Sequence, residues 1–174
     1  IQSFVEKIIS TAQSDGHGHP CWPELLLQTG QVRGAALGGS HYLYGGTTGL
    51  ALFLGAAGHV LGDARATQLA RRLVEMYAAA LGQSSVRGAL TREPLGAVTG
   101  LGSLLLTLVA LTQWPEAADP SLELAEGIAS FVTPEHMDAD REHDVMAGLA
   151  GWIMALSALH RAHPTEATRE RLSS

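Results

Sequence analysis

Lysine occurs once, as Lys7, and cysteine once, as Cys21, in a chain of 174 residues. A single cysteine excludes an internal disulfide framework. Charge is scarce as well: 16% of residues are charged, against roughly 25% in an average globular domain. The 11 basic residues are scattered and the formal net charge is −6, so no concentrated basic patch of the kind phosphate binding needs is present, which argues against nucleic acid. Long apolar runs are missing too. The longest candidate, Leu101 to Leu111, is interrupted by Gly102, Ser103 and Thr107, and none reaches the roughly 18–20 residues of a membrane span. The opening IQSFVEKIIS lacks the basic and apolar regions of a secretion signal. These absences predict a soluble, cytoplasmic protein. The start at Ile1 rather than Met suggests a processed or excerpted piece of something longer.

What is abundant is apolar surface and glycine: 46% of the chain is hydrophobic and 20 residues are glycine. With so few charges, many helix faces must be buried against one another. The stretch LYGGTTGLALFLGAAG, from Leu43, puts glycine and threonine directly before and inside an apolar helix. Glycine costs roughly 1 kcal/mol against alanine in a helix interior, so its repeated use needs a structural reason. Two related stretches follow, LGAVTGLGSLLLTLVAL from Leu95 and HDVMAGLAGWIMALSAL from His143.

Around these, the spacing of Phe4, Val5, Ile8 and Ile9 predicts a first helix from Ile1 to about Ala12. The Gly- and Pro-rich segment that follows reads as a loop or short hairpin. Apolar helices are expected from about Thr48 to Val60, Leu101 to Thr112 and Leu149 to Arg161. Each is followed by a more polar helix: one capped by Asp63 with Leu69, Leu73, Met76, Tyr77 and Leu81 on its apolar face, one in SLELAEGIASFV, and one in HPTEATRERLSS. Runs such as REPL and DADREHD read as solvated linkers.

Gly46, Gly100 and Gly148 open the three apolar helices, at intervals of 54 and 48 residues. A period near 50 containing two helices marks a repeat architecture. A helix apolar all round must be surrounded by protein, and an amphipathic one can cover it. The expected fold class is therefore all-α, a double-layered toroid or solenoid of inner and outer helices. Glycine at each junction would permit positive φ or close approach of neighbouring backbones, and the gathered helix N-termini would favour anions.

These three glycine stretches resemble the first repeats of the lanthionine synthetase C-like (LanC-like) family over about Trp22 to Arg161, with Ser103 in place of one motif glycine. The resemblance implies that residues 1–174 are the N-terminal part of one LanC-like domain, a partial α/α toroid. It implies addition of peptide cysteine thiols to dehydroalanine or dehydrobutyrine, forming thioether rings, with a precursor peptide as partner. The remaining half of the toroid, and a dehydratase or kinase-like domain, are further expected partners. The family uses Zn2+ to hold the thiolate, the nucleophilic form. Its cysteine and Cys-His ligands belong to later repeats, so zinc is expected in the complete domain with no ligand within 1–174. The alternative is a non-catalytic LanC-like or α-solenoid peptide-binding scaffold.

One site residue carries over. The family's third repeat has an aspartate four positions before its first motif glycine, facing the zinc pocket, which is Asp144 here. The resemblance implies a catalytic role, orienting a histidine or moving a proton. The competing reading of Asp144 is a helix N-cap. The adjacent His143 reads as structural or solvent-facing. His17, His19 and Cys21 alternate as on one strand face, a weak zinc motif interrupted by Pro20 and followed by Pro23. Tyr77, Trp114 and Trp152 read as packing, and Tyr42 and Tyr44 as packing residues or as lining the toroid mouth.

Overall fold

The computed structural model describes residues 1–22, 42–118 and 121–173. Helix α1 (Gln2–Thr11) buries Val5 and Ile8, as their spacing predicts. Phe4 stays largely exposed and meets Phe53 edge-on, ring centroids 5.6 Å apart. A two-stranded antiparallel hairpin follows, β1 (Gln13–Ser14) with β2 (Pro20–Cys21). It is fastened to α1 by buried Trp22, whose Nε1–H donates to the Ile8 carbonyl at 3.0 Å. Pro23 and the rest of the expected loop to His41 lie outside the described residues.

Helix α2 (Thr47–Leu61) stops at Gly62, whose φ of +65° is a left-handed conformation that glycine adopts without steric cost. Asp63 then caps α3 (Ala64–Leu81) by accepting the Arg65 N–H at 2.9 Å, worth about 1 kcal/mol for such a cap. Leu69, Leu73, Met76, Tyr77 and Leu81 are all buried, so the sequence spacing identified the inward face. Next come α4 (Ser84–Leu90), α5 (Leu101–Leu111), α6 (Pro115–Ala118), α7 (Ser121–Phe131), α8 (Pro134–Asp138), α9 (Leu149–Ala162) and α10 (Glu166–Ser173). The short α4, α6 and α8 occupy segments for which the sequence pattern predicts no helix.

The fold is all-α in two layers, apart from the small hairpin. Helices α2, α5 and α9 form the inner row, with α5 between the other two. Helix α3 packs on α2, α7 on α5 and α10 on α9. The inner helices begin at the same end, because the loops before them are bonded to one another. Tyr44 N–H donates to the Val98 carbonyl (3.3 Å), and Gly96 N–H to the Ala147 carbonyl (2.8 Å). Helices α2 and α5 also run parallel: the later part of α2, at Gly55, lies against Leu111, Trp114 and Ala117. Buried Tyr77 ties the layers, its hydroxyl donating to Thr47 Oγ1 at 2.7 Å at the start of α2. Burial raises the Tyr77 pKa, which keeps the phenol a neutral donor.

Burial is uneven along the inner row. Leu101, Leu104, Leu105, Leu108 and Leu111 of α5 are fully buried, and burying a leucine contributes about 1.5–3 kcal/mol relative to leaving it exposed. In α9, Trp152, Ala155, Leu156 and Leu159 are buried, whereas Ile153 and Met154 remain 50% and 43% exposed. The expectation of all-round burial thus fails for α9, which lacks a described neighbour on that flank.

Candidate functional site

The end where the inner helices begin is built from backbone pressed against backbone. Ala97 N–H donates to the Val145 carbonyl (2.9 Å), while Val98 and Thr99 N–H share the Met146 carbonyl (3.1 and 2.9 Å). Such closeness leaves no room for side chains. A Cβ on Gly96 would lie 2.0 Å from the Met146 oxygen, and one on Gly151 would lie 2.2 Å from the Ala97 nitrogen. Gly46, Gly100 and Gly148 have φ of −130°, 168° and −112°, which is extended backbone open to any residue. Positive φ is therefore not the reason for glycine at these helix starts. At Gly100 and Gly148 close approach is: a Cβ would meet the Pro94 oxygen at 2.3 Å or the His143 nitrogen at 2.5 Å. In the middle repeat Gly102 takes a close contact with the Leu95 oxygen, and Ser103 fits by turning its buried hydroxyl onto the Gly100 carbonyl at 2.6 Å.

Asp144 lies in this interlocked end, in the loop before α9. It is exposed. Its Oδ1 accepts the Ala147 N–H at 2.7 Å, and its carbonyl accepts the N–H groups of Gly148 and Gly151, both at 3.2 Å. The carboxylate thus shapes a turn. It does not cap α9, whose N-cap is Gly148 with no side-chain cap bond. Asp144 Oδ2 has no hydrogen-bond partner among the described residues.

The carboxylate that does reach the start of α9 is Asp140. Its Oδ2 accepts the Leu149 N–H at 2.9 Å and the His143 N–H at 3.0 Å, and its side chain is only 6% exposed. Burial alone would push the Asp140 pKa up. The Leu149 and His143 N–H groups, with the imidazole of His143 at 3.6 Å, outweigh it and hold the carboxyl below its ordinary value. DADREHD is therefore not wholly a solvated linker. Sequence reading missed Asp140 because its helix partner is nine residues away, outside the spacing of any local capping rule. His143 is 69% exposed and adopts φ of +52°, a left-handed conformation uncommon outside glycine and asparagine.

The tyrosines before α2 separate. Tyr42 is half-buried and donates to Glu93 Oε2 at 2.5 Å, its pKa raised by burial and by that carboxylate. Tyr44 is 76% exposed at the interlocked end. Tyr77 and Trp152 are core residues, and Trp114 packs partly buried beside His59, ring centroids 6.4 Å apart.

His17, His19 and Cys21 are not gathered into a cluster of three ligands. The two histidines belong to the turn of the hairpin, where Asp15 Oδ1 accepts both their N–H groups at 2.8 Å. Their rings are 6.1 Å apart, and burial pushes the Cys21 thiol up. Among the described residues no group of three His, Cys, Asp or Glu side chains is arranged to hold a metal. No described helix is long and apolar enough to cross a membrane.

A double layer of paired helices, with glycine at the tightly joined inner-helix starts, defines an all-α repeat protein. Residues 40–173 match the profile of the lanthionine synthetase C-like proteins, and the chain belongs to that family. The match begins later than the resemblance suggested, at residue 40, and continues through the last helix. No individually curated protein matches the chain significantly.

Proposed function

We propose that this chain forms the Asp144-bearing part of a cyclase that closes thioether rings in a dehydrated, cysteine-containing precursor peptide. In that reaction the thiol sulfur bonds to the β-carbon of dehydroalanine or dehydrobutyrine. The sulfur loses its proton and the α-carbon gains one, so nothing is oxidised or reduced. What the protein must supply is a positioned group to hold or move a proton. The observation that carries the reading is the Asp144 carboxylate, exposed at the interlocked end with one oxygen uncommitted. It serves either to shuttle that proton or to orient a histidine supplied by another repeat.

Zinc belongs to this reading through the family resemblance, with its ligands outside residues 1–174; no step above depends on it. Val145, Met146, Ile153 and Met154, between 43% and 57% exposed, are the edge on which the rest of the toroid would pack. The dehydrated peptide requires a prior elimination of water from serine or threonine, the work of a dehydratase or kinase-like partner.

The test is cyclisation by the full-length gene product that contains this chain. Free thiols of a dehydrated peptide are counted by maleimide labelling over time, against spontaneous closure without protein. Accelerated thiol loss with no change in peptide mass is expected. Thiol loss at the spontaneous rate would overturn the reading in favour of a non-catalytic scaffold.

A further inference from the structure

The side chain of Asp140 holds both ends of the loop that carries Asp144. The residue before Asp144, His143, gives its backbone N–H to Asp140 Oδ2, and Leu149, the first residue of α9, gives its own to the same oxygen. The carboxylate thereby closes a loop from His143 to Leu149 with Asp144 inside it. The middle of that loop is pinned separately, since Val145, Met146 and Ala147 carbonyls accept from residues 96–99. Asp144 has fixings of its own, the Ala147 N–H on its Oδ1 and the Gly148 and Gly151 N–H groups on its carbonyl, and the Asp140 bonds add a hold on the residue that precedes it and on the start of α9. His143 enters Asp144 at φ of +52°, where a side chain is held against its preference. Without the bond to Asp140, relaxation of His143 to negative φ would swing the next residue. The Asp140 side chain is only 6% exposed.

We propose that Asp140 is the positioning residue of the candidate site, fixing the Asp144 carboxylate by clamping His143 N–H and Leu149 N–H on a single oxygen. This rests on the reading of Asp144 as the working carboxylate. A displacement of about 1 Å at such a group costs on the order of 10²-fold in rate. The clamp uses one oxygen as acceptor, so an amide carbonyl in the same place can accept both bonds. Asp140→Asn should therefore keep the geometry that Asp140→Ala loses.

The experiment compares Asp140→Ala, Asp140→Asn and Asp144→Asn in the full-length protein, with melting curves to establish folding and kcat and KM for cyclisation measured separately. The expected result is a kcat reduced about 10- to 100-fold in Asp140→Ala with KM unchanged, near-wild-type kcat in Asp140→Asn, and a slow Asp144→Asn. A slow Asp144→Asn beside a fully active Asp140→Ala overturns the clamp and leaves the site reading standing. So does an Asp140→Asn as slow as Asp140→Ala, which would mean that the charge matters rather than the position. A fully active Asp144→Asn overturns the site reading, and the clamp with it. Should Asp140→Ala fail to fold, Asp140→Asn alone decides: a kcat more than about tenfold below wild type, a fall of over 1.4 kcal/mol in transition-state stabilisation, contradicts the proposal.

Discussion

Helices α5 and α9 open on related glycine motifs and are both largely apolar, α9 less so because His160 and Arg161 lie in its last turn, yet they end in different surroundings. Helix α5 has α2 on one flank, α9 on the other and α7 behind it, and all its leucines except partly buried Leu106 are fully buried. Helix α9 has α5, α10 and a slighter contact with α7, and shows Ile153 and Met154 on its remaining flank. An apolar helix surface states how many neighbours the helix is built for, and its position in the row decides how many it meets. The glycines behave in the opposite way: Gly151 of α9 is at least as tightly enclosed as Gly102 of α5, which meets the loop of its own repeat while Gly151 also meets the backbone of the neighbouring one.

Mutations should resolve the two helices sharply. Leu108→Ala in α5 empties a fully buried site and should cost about 2–5 kcal/mol in urea unfolding. Ile153→Ala, half exposed in α9, should stay within about 0.5 kcal/mol. Comparable losses at the two positions would show that α9 is covered in solution.

The glycines give the next contrast. A methyl on Gly151 would lie 2.2–2.3 Å from backbone atoms of Ala97 and Val145, neither of which can rotate aside. Gly151→Ala should destabilise by about 1–3 kcal/mol. Gly127 in α7 has nothing within 4 Å of the same methyl, and Gly127→Ala should stabilise by about 0.5–1 kcal/mol through helix propensity. Melting temperatures moving in opposite directions would establish that motif glycines serve close approach.

Smaller effects come from hydroxyls. Thr107 of α5 is buried and its Oγ1 has no partner among the described residues, so Thr107→Val should gain about 1 kcal/mol by removing an unpaired polar group. Ser157 of α9 is bonded to the Ile153 carbonyl at 2.7 Å near solvent, and Ser157→Ala should change stability little. For Asp140, the depressed carboxyl pKa means that its stabilisation is present above its unfolded pKa, near 3.9. It is lost as pH falls through the lower folded value. The stability gap between wild type and Asp140→Asn should accordingly be constant above about pH 5 and shrink in more acidic solution.

How much of this was legible depended on the range of the interactions. The inner helices, the Asp63 cap and the α3 face were readable because periodicity and capping act within four residues. The short α4, α6 and α8 were not, since seven, four and five residues hold too little of an amphipathic pattern to stand out. The Asp144 turn was mistaken for a possible cap because the two place aspartate at nearly the same distance from a helix. Asp140 was unreadable for a different reason: its burial depends on the fold of a loop, and the chain around it is charged and looks solvated. The reason for the motif glycines was readable only in part, because the backbone that excludes their Cβ atoms belongs at Gly96 and Gly151 to the neighbouring repeat.

The central claim is that Asp144 works as a carboxylate in ring closure and not merely as a turn former. The Asp144→Asn variant of the full-length protein tests it, because asparagine retains an oxygen that can accept the Ala147 N–H and so preserves the turn. Cyclisation is followed as loss of maleimide-reactive thiol on a dehydrated peptide, corrected for spontaneous closure. The account predicts a folded variant that cyclises roughly 10²–10⁴-fold more slowly than wild type. Cyclisation at the wild-type rate would contradict it and leave Asp144 as a residue that shapes a turn.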